Sequence, residues 1–200
     1  MKTTLSCLLC WAAVSLPAYA GTIRVHVQDE HGKPLPDAIV FLESREAKLL
    51  SKPIQGAEMA QVNRQFAPRV LVVPTGTSVT FPNRDTVRHH VYSFSNTKKF
   101  ELKLFAGTPA NPVVFDRAGI AVLGCNIHDN MAAWVVVVDT PFYAPSDALG
   151  FANLTDVPAG NYRLRVWHSR LAVGAPAIEQ PLTVPPATTS ASVRLTGLTP

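Results

Sequence analysis

The chain has 200 residues, of which 47% are hydrophobic and 16% are charged, and its formal net charge is +4. Soluble proteins average about 25% charged residues, and disordered chains combine high charge with low hydrophobicity, so this composition excludes a disordered protein. The 17 prolines argue against long helices, and the densest basic cluster, Lys98, Lys99 and Lys103, is too small for a nucleic-acid-binding surface.

Residues 1–20 have the pattern of an export signal. Lys2 supplies a positive start, residues 5–16 form an apolar run, and residues 18–20 (Ala-Tyr-Ala) fit a small-x-small cleavage site. We therefore predict a signal peptide that is cleaved after Ala20, and a periplasmic mature protein. The apolar run is shorter than the roughly 20 residues of a transmembrane helix, and no other segment is long enough, so a membrane-spanning protein is not expected.

The pattern of the rest of the chain predicts short strands separated by turns. Residues 23–28 alternate apolar and polar side chains, which predicts a half-buried strand, and a turn leads to a second strand at 38–42. Residues 43–64 are the only stretch with a possible helical turn. Further strands are predicted at 70–73, 78–81, 87–94, 100–105, 113–115, 120–123, 134–138, 151–154, 161–167 and 192–195. The expected fold class is all-β, with an antiparallel β-sandwich architecture.

The cysteines indicate where chemistry could lie. The predicted cleavage removes Cys7 and Cys10, two of the three cysteines, and leaves Cys125. A single cysteine cannot form an internal disulfide in an oxidising compartment. Such a residue is either a small buried hydrophobic side chain or a thiolate with a chemical role.

The neighbours of Cys125 favour a metal site. Cys125, His128 and Met131 follow one another at C-x2-H-x2-M spacing on a short loop, and His89 lies upstream. Thiolate and thioether sulfur select copper, and two histidines, one cysteine and a weak axial methionine form a trigonal blue-copper site. The alternative is that Cys125 and Met131 are buried hydrophobic residues and that His128 lies at the surface.

Residues 59–139 resemble the cupredoxin family, most closely its amicyanin and plastocyanin groups. Four motifs carry the resemblance in the family's order: the turn and strand at 74–81, the Asn-to-His spacing of 83–89, the strand from 115 into Cys125, and the compact C-x2-H-x2-M loop. The resemblance implies a cupredoxin Greek-key β-sandwich that binds one copper ion in a type 1 site. The ligands that it implies are His89, Cys125, His128 and, axially, Met131.

The chain departs from the family pattern at two points. His90 stands where cupredoxins usually carry an asparagine that ties the two ligand loops together. Strand alternation places His89 and His90 on opposite faces, so only one is expected to reach the metal, and the motif alignment selects His89. His90 either replaces that asparagine as a hydrogen-bonding residue or faces solvent. The copper loop also lacks amicyanin's proline, so the reduction potential is not carried over from the relatives.

The flanking segments show a second resemblance. Residues 21–40 and 146–167 are similar to the two halves of a small carboxypeptidase-regulatory-like (transthyretin-like) β-sandwich. We therefore predict a split sandwich, 21–45 with 142–200, around a cupredoxin domain at 46–141, since domains are tolerated as insertions at loops. Two domains in series with an extra N-terminal hairpin are the alternative. Chains with this layout are similar to proteins labelled as methylamine utilisation proteins.

These resemblances imply a function. They predict a periplasmic electron carrier, not an enzyme, whose redox protein partners dock transiently near His128. A copper chaperone or storage protein would use the same ligands, and a structural or carbohydrate-binding sandwich would not need copper. A mononuclear copper enzyme would need an exchangeable position, which Met131 is expected to fill.

Overall fold

A computed structural model describes residues 20–199. Residues 1–19, which hold nearly all of the predicted signal peptide, lie outside the described part. Within the described part, no helix is both long and apolar enough to span a membrane.

Residues 20–199 form one short helix, α1 (Arg45–Leu50), and seventeen strands. In chain order the strands are β1 (Ala20–Gln28), β2 (Ile39–Glu43), β3 (Ala57–Glu58), β4 (Ala60–Val62), β5 (Gln65–Ala67), β6 (Val70–Pro74), β7 (Thr77–Thr80), β8 (His89–Phe94), β9 (Lys99–Phe105), β10 (Val113–Phe115), β11 (Gly119–Gly124), β12 (Ala132–Val138), β13 (Tyr143–Pro145), β14 (Phe151–Pro158), β15 (Gly160–Trp167), β16 (Ile178–Val184) and β17 (Thr189–Arg194). The all-β fold class predicted from the sequence is therefore confirmed.

Two sheets are built from the two ends of the described chain. Their strand orders are β14-β1-β17 and β13-β2-β15-β16. The alternation along β1 turns Ile23, Val25 and Val27 inwards, where they share one core with Val40 and Leu164 of the other sheet. We call this pair of sheets the terminal sandwich.

The middle of the chain forms two further sheets around a second core. Their orders are β6-β12-β11-β8-β9 and β10-β7-β3, and the hairpin β4-β5 stands apart from both sheets. The core holds Phe81, Phe115 and Leu123, together with Cys125 and Met131 of the candidate metal loop. We call this pair of sheets the central sandwich.

The chain enters and leaves the central sandwich at neighbouring points. The Leu42 amide donates to the Phe142 carbonyl over 3.0 Å, and Lys48 of α1 binds Asp139 over 2.7 Å. The strands of the terminal sandwich thus precede and follow the central strands in sequence. The two segments that connect the sandwiches lie side by side. An inserted domain would have this connectivity, and the predicted boundaries at 45/46 and 141/142 stay a prediction.

Strand β12 lies between the two cores and is buried on both faces. Trp134 and Val136 belong to the core of the terminal sandwich, whereas Ala133 and Val135 belong to the central core. The rings of Trp134 and Trp167 lie 6.1 Å apart in the shared layer. This double burial explains why the strand is an uninterrupted apolar run instead of an alternating one.

Five strands are missing from the sequence-based prediction: β3, β4 and β5, the three-residue strand β13, and β16. The region predicted to hold a possible helical turn contains α1 but also the short strands β3, β4 and β5. The Pro- and Thr-rich tail contains β16, which includes Pro181. β16 is the edge strand of its sheet, and an edge tolerates proline because its outer N–H groups need no partner there.

Candidate metal centre

The ligand candidates lie where two paired strands meet. His89 is the first residue of β8, and β11 ends at Gly124, directly before Cys125. Gly124 pairs with Tyr92 across these antiparallel strands. Continuing that register places the loop after β11 beside the start of β8. Sheet pairing therefore brings two distant parts of the sequence together.

Three of the predicted ligands converge. One ligand atom from each of His89, Cys125 and His128 lies within 4.8 Å of the other two, and Cys125 Sγ is 3.8 Å from His89 Nδ1. Metal bonds of about 2.0–2.1 Å to nitrogen and about 2.3 Å to sulfur, as in zinc sites, would separate two such donors by about 3.8 Å at roughly 120°. The spacing fits one metal ion shared between imidazole and thiolate.

The hydrogen bonding of the cluster also fits a metal. His128 Nδ1 is buried and has no hydrogen-bond partner, although buried ring nitrogens normally have one. His89 is fully buried and Cys125 is 6% exposed. The Ile127 amide approaches Cys125 Sγ at 3.5 Å, so a backbone dipole points at the sulfur. A metal ion would satisfy the open nitrogen, and this soft N, S, N donor set suits copper.

Met131 lies in the same buried region. It is 2% exposed and belongs to the core that holds Cys125. Its amide donates to the His128 carbonyl over 3.0 Å. This hydrogen bond closes a tight turn that brings the backbones of His128 and Met131 close together. Its role as the axial ligand stays a prediction.

Asp85 is a member of the site that the sequence analysis missed. Its Oδ2 lies 2.7 Å from His89 Nε2, on the opposite side of the ring from Cys125. Burial raises the pKa of Asp85, but hydrogen bonds from the Arg64 amide, the His89 ring and the Asn63 amide outweigh it and hold that pKa below its usual value. The carboxylate is thus ionised at neutral pH. The signal in the sequence that could have identified Asp85 is its position four residues before a candidate ligand histidine.

His90 connects the two ligand segments. It is 8% exposed, so the solvent-facing alternative is wrong. Its Nδ1 lies 2.8 Å from Asn126 Nδ2, which ties β8 to the residue after Cys125. Its Nε2 lies 3.0 Å from a carboxylate oxygen of Glu101 but makes no hydrogen bond. His90 thus cross-links β8 and the loop that follows β11.

A groove borders the metal loop between the two sandwiches. It has a volume of about 1040 Å³, and Cys125, Met131 and residues 173–177 contribute to its walls. The Tyr92 ring also lines it and lies over Gly124, where an added Cβ would sit 2.7 Å from the Tyr92 hydroxyl oxygen. Glycine at position 124 therefore makes room for the aromatic ring beside Cys125.

Two further histidines, His26 in β1 and His168 directly after β15, belong to the terminal sandwich and lie outside this cluster. His26 stacks on Phe151 with ring centroids 4.4 Å apart. His168 is buried, and its Nδ1 accepts a 3.0 Å hydrogen bond from the Arg170 amide. Desolvation lowers the pKa of His168, so it is neutral and structural.

No protein-family model and no curated protein sequence matches the chain. Solved structures similar to it include a copper-containing nitrite reductase from Thermus scotoductus SA-01, at 22% identity over 46% of this chain and a TM-score of 0.39. The chain spans only 26% of that reductase. A purple cupredoxin from Nitrosopumilus maritimus matches at 24% identity over 41% of this chain and 99% of its own, with a TM-score of 0.36. A reduced amicyanin variant matches at 23% identity over 50% of this chain and 98% of its own, with a TM-score of 0.38.

Proposed function

We propose that this protein is a periplasmic type 1 copper protein that carries single electrons between redox partners. One observation carries the proposal: two imidazoles and one thiol, from segments far apart in the sequence, converge so that one ligand atom of each lies within 4.8 Å of the others. One of the two imidazoles, His128, also has a buried nitrogen without a hydrogen-bond partner. Bound copper would supply a one-electron couple between Cu(I) and Cu(II). The ligands would be His89, Cys125 and His128, with Met131 as a weak axial donor.

The protein's own contribution is to hold these donors in one geometry. His89 is bonded to Asp85, and the Cys125 loop is bonded to His90 through Asn126. A site that is braced on both sides changes little between oxidation states, and small rearrangement favours rapid electron transfer. Met131 would fill the remaining position on the metal, and this expectation favours a carrier over an enzyme.

His128 is the ligand nearest solvent. It is half-buried, whereas His89 has no exposed surface. Its neighbour Ile127 is 46% exposed and offers an apolar contact beside the ring. Partners would dock weakly there, because redox encounters use small interfaces. The signal-peptide pattern supports a periplasmic location, and the terminal sandwich, packed on β12, would fix the carrier's orientation.

The test is a titration of the mature protein with Cu(II), followed by optical absorption. The expected result is an intense visible thiolate-to-copper band that saturates at one copper per chain. Cys125→Ser is expected to abolish the band, and His31→Gln, an exposed histidine outside the site, is expected to leave it unchanged. A colourless product would contradict the electron-carrier proposal and favour a chaperone or a structural sandwich.

A further inference from the structure

We propose that two copies of this chain associate through β9, whose outer edge pairs with the outer edge of β9 in the second copy. The two strands run antiparallel about a two-fold axis at Phe100, so the same surface serves both chains. Their pairing joins the two five-stranded sheets of the central sandwiches into one continuous sheet. This association requires no metal and goes beyond the proposed function.

The outer edge of β9 is open. β9 (Lys99–Phe105) is the last strand of the sheet β6-β12-β11-β8-β9, and within residues 20–199 no strand pairs with its other side. An edge strand carries a row of backbone N–H and C=O groups that can pair with another chain. β9 is seven residues long and contains no proline, so every residue keeps its backbone N–H donor. Short length and proline, two common protections of an edge, are therefore missing from this strand.

The apolar side chains at this edge are incompletely covered. Phe100, Leu102 and Phe105 pack against the central core but are only partly buried, and Leu104 is 53% exposed. The Phe100 ring extends inwards to Phe81, with ring centroids 5.5 Å apart. A second β9 lengthens the sheet and covers this open end of the core. Apolar surface then leaves water, which is the main driving force for protein association.

The exposed side chains of β9 are complementary to those of an antiparallel second copy. Lys99, Glu101 and Lys103 are exposed and alternate with the inward-facing Phe100 and Leu102. With the axis at Phe100, Lys99 of each chain lies opposite Glu101 of the other. An axis at Glu101 would place like charges opposite each other, which is unfavourable. β9 pairs regularly with β8 from Lys99 to Leu102, so the axis at Phe100 uses the regular part of the strand.

The first experiment is analytical ultracentrifugation of the mature protein without added metal. We expect the wild-type mass to rise towards twice that of one chain between about 1 μM and about 1 mM, the range of weak association. Lys99→Glu and Glu101→Lys each place like charges opposite each other and are expected to stay monomeric. The matched control is Lys52→Glu, which makes the same charge change at an exposed position outside β9 and is expected to associate as the wild type does.

The second experiment mixes the two variants in equal amounts. Each lysine of the Glu101→Lys chain then lies opposite a glutamate of the Lys99→Glu chain, so the mixture is expected to recover the dimer mass. Recovery would also show that both variants are folded. Glu101 contacts His90, and Lys99→Glu tests the interface with that contact left in place.

Three results would overturn this interface. They are a wild type that is monomeric at every concentration, variants that associate as well as the wild type does, and a mixture of variants that stays monomeric. None of these results depends on copper binding. Failure of the dimer is therefore distinct from failure of the proposed function, which the copper titration tests.

Discussion

Replacing Trp134 with alanine is expected to lower the free energy of unfolding by about 3–5 kcal/mol, the usual cost of deleting a large buried aromatic side chain. Trp134 is 7% exposed, packs against Trp167 and lies 5.2 Å below the Arg69 guanidinium. Its loss would open a cavity in the layer where the two sandwiches meet. Native domains have free energies of unfolding of about 5–15 kcal/mol, so this loss is a large share of the total stability.

Chemical denaturation of the wild type and the variant measures this difference. Phe94→Ala is the matched control, because Phe94 is 75% exposed and surface substitutions usually change stability by less than about 0.5 kcal/mol. A single cooperative transition that moves as one unit in Trp134→Ala would show that the sandwiches unfold together. A loss no greater than that of Phe94→Ala would contradict the shared core.

Saturating copper is expected to raise the midpoint of thermal unfolding. A ligand that binds only the folded state stabilises it by about 4.1 kcal/mol at a thousand times its dissociation constant, which corresponds to about 8–16 °C for a chain of this size. The physical reason is that His89, Cys125 and His128 converge only in the folded protein. Calorimetry with and without copper measures the increment.

The quantity to compare between variants is the rise in the thermal unfolding midpoint that copper causes. The midpoint itself is not comparable, because Cys125→Ser places a hydroxyl in a buried position and lowers stability without any metal. The copper increment is expected to vanish in Cys125→Ser and in His128→Gln and to persist in His31→Gln. Zinc, which takes the same nitrogen and sulfur donors, provides a redox-silent comparison. An equal increment in wild type and Cys125→Ser would mean that copper binds elsewhere.

The sequence predicted the parts of the site that depend on local pattern. The C-x2-H-x2-M spacing, on a loop between two predicted strands, marked Cys125 and His128, which lie together with His89 in the structure. It also marked Met131, whose role as a ligand stays a prediction. His89 needed the family resemblance, since two adjacent histidines both qualify by residue type. That one of them joins Cys125 and the other bonds to Asn126 depends on the register of β8 against β11, which no local pattern encodes.

Other features depend on long-range packing and were out of reach. The contact of Asp85 with the Asn63 and Arg64 amides joins a ligand strand to a hairpin about twenty positions earlier. The edge position of β16 explains how a strand that was not predicted can contain Pro181. By contrast, the strand predicted at 134–138 is confirmed as part of β12, although only the structure reveals that its two faces belong to different cores.

Electron paramagnetic resonance of the Cu(II)-loaded mature protein tests the central claim most directly. A copper centre bound by the Cys125 thiolate would spread the unpaired electron onto sulfur, so we expect an unusually narrow parallel copper hyperfine splitting that is lost in Cys125→Ser. A wide splitting, as in ordinary nitrogen- and oxygen-bound Cu(II), that is the same in both proteins would contradict the thiolate–copper site and with it the electron-carrier function.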